Sequence, residues 1–193
     1  MMAKRLSDEQ LIELIEAAIF VANTPLTKDK LRDTVLSDFS ISLKRIQSAI
    51  DAIMAHYATR GVRLVKVGSG YRFQACSSLS PWLNKLWQEK APKYSRAFLE
   101  TLSLIAYRQP ITRGEIEQVR GVTVSSQTIK TMLEHNWVKV VGYKEVPGKP
   151  ALYGTTKQFL DHFSLSSLNE LPPLPVAQDE KISQILSEPA QLD

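Results

Sequence analysis

Cysteine, histidine and glycine are scarce in this sequence of 193 residues, which has one Cys, three His and eight Gly. A single cysteine, Cys76, cannot form an internal disulfide, and this is typical of proteins in a reducing compartment. The three histidines lie on separate segments, so no Cys and His cluster has the spacing of zinc ligands. We therefore predict that the protein binds no metal and no cofactor.

Long apolar runs are also missing. No stretch approaches the roughly 18 residues that a membrane-spanning helix needs. The first ten residues, MMAKRLSDEQ, lack the apolar core of a secretory signal. The apolar share of 44% and the charged share of 23% are ordinary for a globular protein. These features predict a cytoplasmic protein with no membrane partner.

Acidic residues are rare in residues 39–96, which hold ten basic and two acidic side chains. Residues 164–193 instead hold one basic and five acidic side chains. Such a basic segment indicates an anionic partner, or a solvated surface that faces the acidic tail. Weak nonspecific contact with DNA phosphates would use six side chains: Lys44, Arg45, Arg60, Arg63, Lys66 and Arg72. The same side chains could instead cover core edges or pair across a dimer.

The most informative stretch runs from Ser95 to Thr156 and predicts three helices followed by a two-stranded β-wing. Apolar residues recur at helical spacing in the first and third helices: Phe98, Leu102, Ile105 and Ala106, then Ile129, Met132 and Leu133. Pro110 ends the first helix, and Thr112 with Glu115 forms a capping box that begins the second. Gly121 ends the second helix, and Ser125 or Ser126 caps the third. The strands are predicted at Trp137–Tyr143 and Leu152–Thr155. This order is that of a winged helix.

The first half of the chain has the same order without an exact sequence repeat. Ser7 with Gln10 predicts a capping box, Thr27 a second cap, and Gly68-Ser69-Gly70 a hairpin turn. We predict a mostly α fold with small β wings (α+β), built as tandem winged-helix domains. The predicted parts are a winged helix at 1–78, a connector helix or hinge at 79–94, a second winged helix at 95–165, and a disordered acidic tail with prolines at 166–193.

Catalytic signals are weak, and we predict that the protein is not an enzyme. Cys76 has no sequence cue to a partner base, which a nucleophilic cysteine needs. The turns Gly68-Ser69-Gly70 and Pro147-Gly148-Lys149 do not lead from a strand into a helix, as a phosphate loop does. Glu115 and Glu117 lie two residues apart on a helix and hence on different faces. We therefore predict no catalytic residue.

Two binding functions remain. In a DNA reader, Ser125–Asn136 would enter the major groove, but its exposed residues include one cation, Lys130, and no arginine. In a protein-interaction module, Trp82, Trp87 and Trp137 would serve as anchors, because tryptophan is enriched at interface hot spots. The alternative is that these residues belong to the core, which is the favoured interpretation for Trp137.

Two long runs, LETLSLIAYRQPITRGEIEQVRGV and VPGKPALYGTTKQFLDHFSLSSLNELPPL, closely resemble segregation and condensation protein B. The similarity extends over about residues 8 to 175. It implies a cytoplasmic, nucleoid-associated homodimer that acts in chromosome condensation and segregation during cell division. Its implied partner is the kleisin, segregation and condensation protein A, through which it would meet the SMC ATPase. The alternative function is a winged-helix transcriptional regulator that binds DNA.

The resemblance also suggests which residues bind. Dimerisation is implied for the first domain, where Leu11, Ile15 and Ile19, or the stripe of the third helix, would contribute. Kleisin binding is implied for the second domain, with five candidates: Tyr107, Arg108, Arg113, Arg120 and Lys130. The three arginines have no structural role that the sequence reveals, and this is why they are chosen. The stretch TVSSQTIKTMLEHNW departs from the shorter, more charged form of familiar family members.

Overall fold

The computed structural model of the protein describes residues 5–86, 94–174, 180 and 182–184. Contacts between Cα atoms divide them into two compact units. The N-terminal unit holds the described residues up to 86 together with 164–166, and the C-terminal unit holds the described residues of 94–163 and 167–184. Each unit contains three helices with a small antiparallel sheet, and further short helical segments follow the sheet. The predicted α+β fold of tandem winged helices is confirmed.

The N-terminal unit begins with three capped helices and ends with a hairpin. Its elements are α1 (Asp8–Val21), α2 (Lys28–Asp33), α3 (Leu43–Tyr57), β1 (Val62–Val67) and β2 (Gly70–Ala75). Ser7 forms the predicted capping box with Gln10, and Thr27 and Ser42 cap the next two helices through their hydroxyls. Val67 pairs with Gly70, so Gly68 and Ser69 form the two-residue turn.

The core of the N-terminal unit is built from the apolar faces of α1 and α3 with residues of the hairpin. Leu11, Ile15 and Ile19 are 1%, 0% and 3% exposed, so these three side chains belong to the core of their own unit. This corrects the expectation that they present a dimer surface, because a side chain packed inside one protomer cannot reach another. The exposed apolar side chains of α1 are Phe20 and Val21, at 73% and 75%.

Three short helical turns follow β2: a 3-10 turn at Ser77–Leu79, α4 at Ser80–Leu83 and a 3-10 turn at Asn84–Leu86. The short helix α4 lies within the stretch 79–94, where a connector helix or hinge was predicted, and begins at Ser80. Trp82 is 64% exposed and is therefore not a core residue. Trp87 lies outside the described residues.

The C-terminal unit has the helices α5 (Arg96–Arg108), α6 (Arg113–Arg120), α7 (Ser126–Glu134) and α8 (Lys157–His162), and a 3-10 turn at Leu168–Glu170. Its strands are β3 (Ile111–Thr112), β4 (Val138–Tyr143) and β5 (Ala151–Thr155), in the order β3-β5-β4. The predicted wing has two strands and the observed sheet has three, because β3 pairs with β5 through Ile111 and Tyr153. A two-residue strand has no periodicity that a sequence could display.

A short motif recurs in both units. Pro25-Leu26-Thr27 and Pro110-Ile111-Thr112 each place a helix-capping threonine after an apolar residue that bridges to the sheet. Leu26 exchanges two backbone hydrogen bonds with Tyr71, at 2.9 and 2.8 Å, as Ile111 pairs with Tyr153. The motif is only three residues long. The two copies can be recognised as equivalent because the apolar residue of each one pairs with a tyrosine in the sheet.

Trp137 lies at the centre of an aromatic cluster and is 4% exposed, as expected for a core residue. Among the side chains that the structure describes, five rings lie within 6.2 Å of its ring centroid: Tyr94, Phe98, His135, His162 and Phe163. On α7, Ile129 and Met132 are buried as predicted, whereas Leu133 is 38% exposed. Leu133 follows Met132 directly, so it points about 100° away from the buried face.

Candidate protein-interaction surface

Tyr107 and Arg108 lie in the last turn of α5 and contact the C-terminal part of the chain. The Tyr107 hydroxyl donates to the carbonyl oxygen of Pro172 at 2.6 Å. The Arg108 Nη2 atom donates to the Ser183 hydroxyl at 3.3 Å. Both side chains are half-buried, so these two candidates hold part of the tail against the unit.

Arg120 lies between α6 and α5 and is 11% exposed. Its Nη1 atom donates to the hydroxyl of the fully buried Thr101 at 3.2 Å, and its Nη2 atom pairs with Glu100 at the same distance. The guanidinium groups of Arg96 and Arg120, in that order of effect, hold the pKa of Glu100 below its ordinary value. Arg120 therefore joins two helices, a structural role that the sequence does not reveal.

Arg113 has a similar role at the start of α7. Its Nε atom pairs with Glu117 at 2.9 Å, and its Nη1 atom donates to the Ser126 hydroxyl at 3.1 Å. Glu117 in turn accepts the backbone N–H of Val124 at 2.8 Å. This backbone bond and then Arg113 lower the pKa of Glu117. The two members of this ion pair within α6 thus hold the α6–α7 turn through their hydrogen bonds to Ser126 and Val124.

Lys130, the fifth candidate, is exposed on α7 and pairs with Glu134 at 3.7 Å. The structure brings together two of the five candidates in one groove, since Tyr107 and Arg120 both line it. Arg108 adjoins Tyr107 along α5. Arg113 and Lys130 are not among the lining residues and belong to the α6–α7 region.

The groove runs along the side of α5 that faces away from the core and has a volume of about 740 Å³. We call it the outer groove. Its lining residues are Tyr94, Arg96, Leu99, Glu100, Ser103, Leu104, Tyr107, Arg120, Leu174 and Ile182. Leu99, Leu104 and Tyr107 form a second apolar stripe on a helix whose first stripe packs in the core. The sequence interpretation overlooked this stripe, because Leu99 and Leu104 lie five positions apart, about 140° around a helix, which is not the i, i+3, i+4 spacing of one helical face.

Glu115 links the capping box of α6 to the wing. It accepts hydrogen bonds from the Thr112 backbone N–H and hydroxyl, at 2.7 and 2.8 Å, and pairs with Lys144 at 2.7 Å. Partial burial raises the pKa of Glu115, but the Lys144 ammonium and the Thr112 hydrogen bonds outweigh it, and the pKa lies below its ordinary value of 4.5. The ionised form is therefore bound more favourably in the folded state than in the unfolded chain.

We expect Glu115→Gln to make the stability of the protein depend less on pH in the acid range. A lowered pKa contributes stability above the unfolded value of 4.5, and that contribution is lost as the pH falls through the folded pKa. Between about pH 5 and pH 3, the melting temperature of the wild type should fall more steeply than that of the variant. Thermal unfolding by circular dichroism at each pH measures this. Glu145→Gln, at an exposed position in the adjoining turn, should keep the wild-type slope, and equal slopes in all three proteins would contradict the assignment.

The six basic residues of the N-terminal unit do not share one face. Arg45 pairs with Asp8 at 2.6 Å, and Arg60 stacks 5.4 Å from the ring centroid of Tyr57. In the hairpin, Val65 lies opposite Arg72 and Arg63 opposite Gln74, so strand alternation separates both arginines from Lys66. Lys44 is exposed on α3. The ion pair of Arg45 and the ring contact of Arg60 give these two charges partners within their own unit.

Over the ranges that the structure describes, no helix is long and apolar enough to cross a membrane, and no three His, Cys, Asp or Glu residues group as metal ligands would. The Ser78 hydroxyl lowers the pKa of the Cys76 thiol.

Each unit has the winged-helix fold, and the C-terminal unit has an apolar groove on the outside of its first helix. The chain is therefore a small protein of the winged-helix class. Residues 13–174 match the family of the segregation and condensation complex subunit ScpB. The chain is 55% identical over 170 residues to the segregation and condensation protein B homolog of Coxiella burnetii, covering 88% of this chain and 81% of that protein. It is 39% identical over 168 residues to segregation and condensation protein B of Desulforamulus reducens, covering 86% and 90%. The crystal structure of ScpB from Mycobacterium tuberculosis matches with 28% identity and a TM-score of 0.40, over 84% of this chain and 99% of that one. The chain belongs to the segregation and condensation protein B family.

Proposed function

We propose that this chain is a non-catalytic scaffold subunit of an SMC–kleisin complex. In the cytoplasm, at the nucleoid, it dimerises and binds the kleisin, segregation and condensation protein A, and so meets the SMC ATPase indirectly. The complex then supports chromosome condensation and segregation during cell division. Family membership over residues 13–174 carries this proposal. The domains would divide the work, with dimerisation in the N-terminal unit and kleisin binding in the C-terminal one.

The outer groove supports kleisin binding by the C-terminal unit. Leu99 is 43% exposed and Leu104 and Tyr107 are half-buried, so an apolar stripe remains open on α5. An amphipathic helix binds such a groove through aliphatic residues spaced along one of its faces. Arg96 and Arg120 border the stripe and would select acidic residues beside those anchors.

The exposed end of α1 supports dimerisation by the N-terminal unit. Phe20 is 73% exposed and its ring centroid lies 6.2 Å from that of Phe73. Val21, the next residue, is 75% exposed. A large aromatic side chain with so much exposed area is a common anchor of protein interfaces. These residues replace Leu11, Ile15 and Ile19 as the dimer candidates.

The alternative, a regulator that reads DNA through α7, has less support. Lys130 is the only cation on α7, and Glu134 partly neutralises it at 3.7 Å. A recognition helix normally presents arginine or lysine to guanine and to phosphates. The face of α7 that would enter the major groove of DNA therefore carries almost no net charge.

The decisive experiment is co-expression of the chain with the kleisin of the same organism, followed by size-exclusion chromatography with light scattering. We expect a stable complex with two copies of this chain for each kleisin. Leu99→Glu should weaken binding tenfold or more by placing a charge in the groove. Arg45→Ala, which removes an arginine of the N-terminal unit, should leave kleisin affinity unchanged.

The same measurement separates the two proposed surfaces. Phe20→Asp should convert the free chain to a monomer and still allow it to bind the kleisin, because the groove lies in the other unit. If the wild type forms no complex with the kleisin, while the chain alone holds one duplex sequence at about 200 mM salt, the scaffold proposal fails and the regulator is favoured.

A further inference from the structure

The C-terminal part of the chain returns to the outer groove of α5. Two short segments are described there, residues 171–174 and 182–184, which together we call the strap. The carbonyl oxygen of Pro172 accepts the Tyr107 hydroxyl at 2.6 Å, and the Ser183 hydroxyl accepts Arg108 Nη2 at 3.3 Å. Each segment thus forms a hydrogen bond with the last turn of α5.

The strap also places apolar side chains in the groove. Leu174 and Ile182 line it together with the stripe of α5, and both are half-buried. An aliphatic pair from the chain itself therefore occupies the kind of position that the anchors of a bound helix would take. The groove still has a volume of about 740 Å³ with the strap present, so it is covered only in part.

The strap residues themselves are uncharged, but the groove and the C-terminal part of the sequence carry opposite net charges. Residues 164–193 contain one basic and five acidic side chains. Arg96 and Arg120 line the groove and Arg108 adjoins it, and the one acidic lining residue, Glu100, offsets a single positive charge. An acidic segment is therefore attracted to this side of the unit, but the attraction at an exposed surface is modest. Such a contact is suited to release.

We propose that the strap is an intramolecular competitor that covers the outer groove until a partner helix displaces it. The proposal rests on the proposed function for the identity of the partner, the kleisin. If the chain itself closes the groove in some molecules, only the molecules with an open groove can bind a partner. The apparent affinity is then the intrinsic affinity multiplied by the fraction of open molecules. If the strap is docked in about nine molecules of ten, the apparent affinity falls about tenfold.

The affinity test uses the full chain with the double substitution Leu174→Ser and Ile182→Ser, which removes the aliphatic contacts and keeps the chain length. We expect this variant to bind a kleisin fragment about tenfold more tightly than the wild type, by titration calorimetry. Leu133→Ser changes an exposed leucine on α7, outside the groove, and should leave the affinity unchanged. Equal or weaker binding by the double variant would overturn the proposal.

A second measurement needs no kleisin and so separates this proposal from the function on which it rests. Amide hydrogen exchange at Ser183 and Gln184, measured by NMR on the free chain, reports the docking of the strap. Leu99→Glu should raise these exchange rates severalfold, whereas Leu133→Glu should not. Adding a saturating kleisin fragment to the wild type should raise them as well. Unchanged exchange in Leu99→Glu would show that the strap does not depend on the groove, and the proposal would fail even if the kleisin binds.

Discussion

Gly70→Ala should destabilise the N-terminal unit by about 3 kcal/mol or more. Gly70 opens β2 with a φ of +145°, a conformation that side-chain-bearing residues rarely adopt. A Cβ atom there would also collide with the carbonyl group of Leu26 and lie 2.8 Å from the backbone nitrogen of Thr27. Both neighbours are backbone atoms held by the bridge between Leu26 and Tyr71, so they cannot move aside cheaply.

Urea denaturation followed by far-ultraviolet circular dichroism measures this loss. Gly114→Ala is the matched control, because Gly114 lies in α6 and no described atom comes within 4 Å of the position that an alanine methyl group would take. Alanine there should leave stability unchanged or raise it by about 0.5 kcal/mol through its better helix propensity. If Gly70→Ala lost less than about 1 kcal/mol, the close approach of β2 to Leu26 would be wrong.

Trp137→Ala should cost the C-terminal unit about 3 to 5 kcal/mol, the range for removing a large buried aromatic side chain. Trp137 is 4% exposed, and its ring lies 4.3 Å from that of His162 and 5.2 Å from that of Tyr94, measured between centroids. The residue connects the entrance to α5, the start of β4 and the end of α8. Its removal leaves a cavity whose walls come from three parts of the chain, so the walls cannot collapse together.

Trp82→Ala is the control for this prediction, because Trp82 is 64% exposed and should change stability by less than about 0.5 kcal/mol. Urea titrations of the two variants and the wild type, with the slope m compared, give the difference. A loss in Trp82→Ala as large as that in Trp137→Ala would show that burial of the ring does not decide its contribution.

The helix boundaries were predictable because their signals are local. The hydroxyls of Ser7 and Thr112 accept amides three residues away, and the partner side chains of both capping boxes lie equally close in sequence. Gly121 ends α6 with a φ of 68°, a conformation that glycine adopts at little cost. The spacing of the apolar residues predicted which face of α5 is buried, because this spacing can be read directly from the sequence.

The candidate site was harder to predict because its contacts join distant residues. Tyr107 meets Pro172 across 65 positions, and Arg120 meets Thr101 across 19. Nothing in the sequence near Arg120 shows that Glu100 lies beside it in space, whereas Arg113 and Glu117 have the i, i+4 spacing of a helical ion pair. The sequence interpretation therefore chose Arg113 and Arg120 as partner-binding candidates without the information that each makes an ion pair within its own unit.

The sequence by itself determined the order of helices and wings, the caps, and the family to which the chain belongs. Tertiary structure alone decided that Leu11, Ile15 and Ile19 are core, that β3 joins the second sheet, and that the strap reaches α5. The physical reason is that an apolar stripe shows that a face will be covered, and not what covers it. Burial against the same chain and burial against a partner have the same hydrophobic driving force, so only the packed fold distinguishes them.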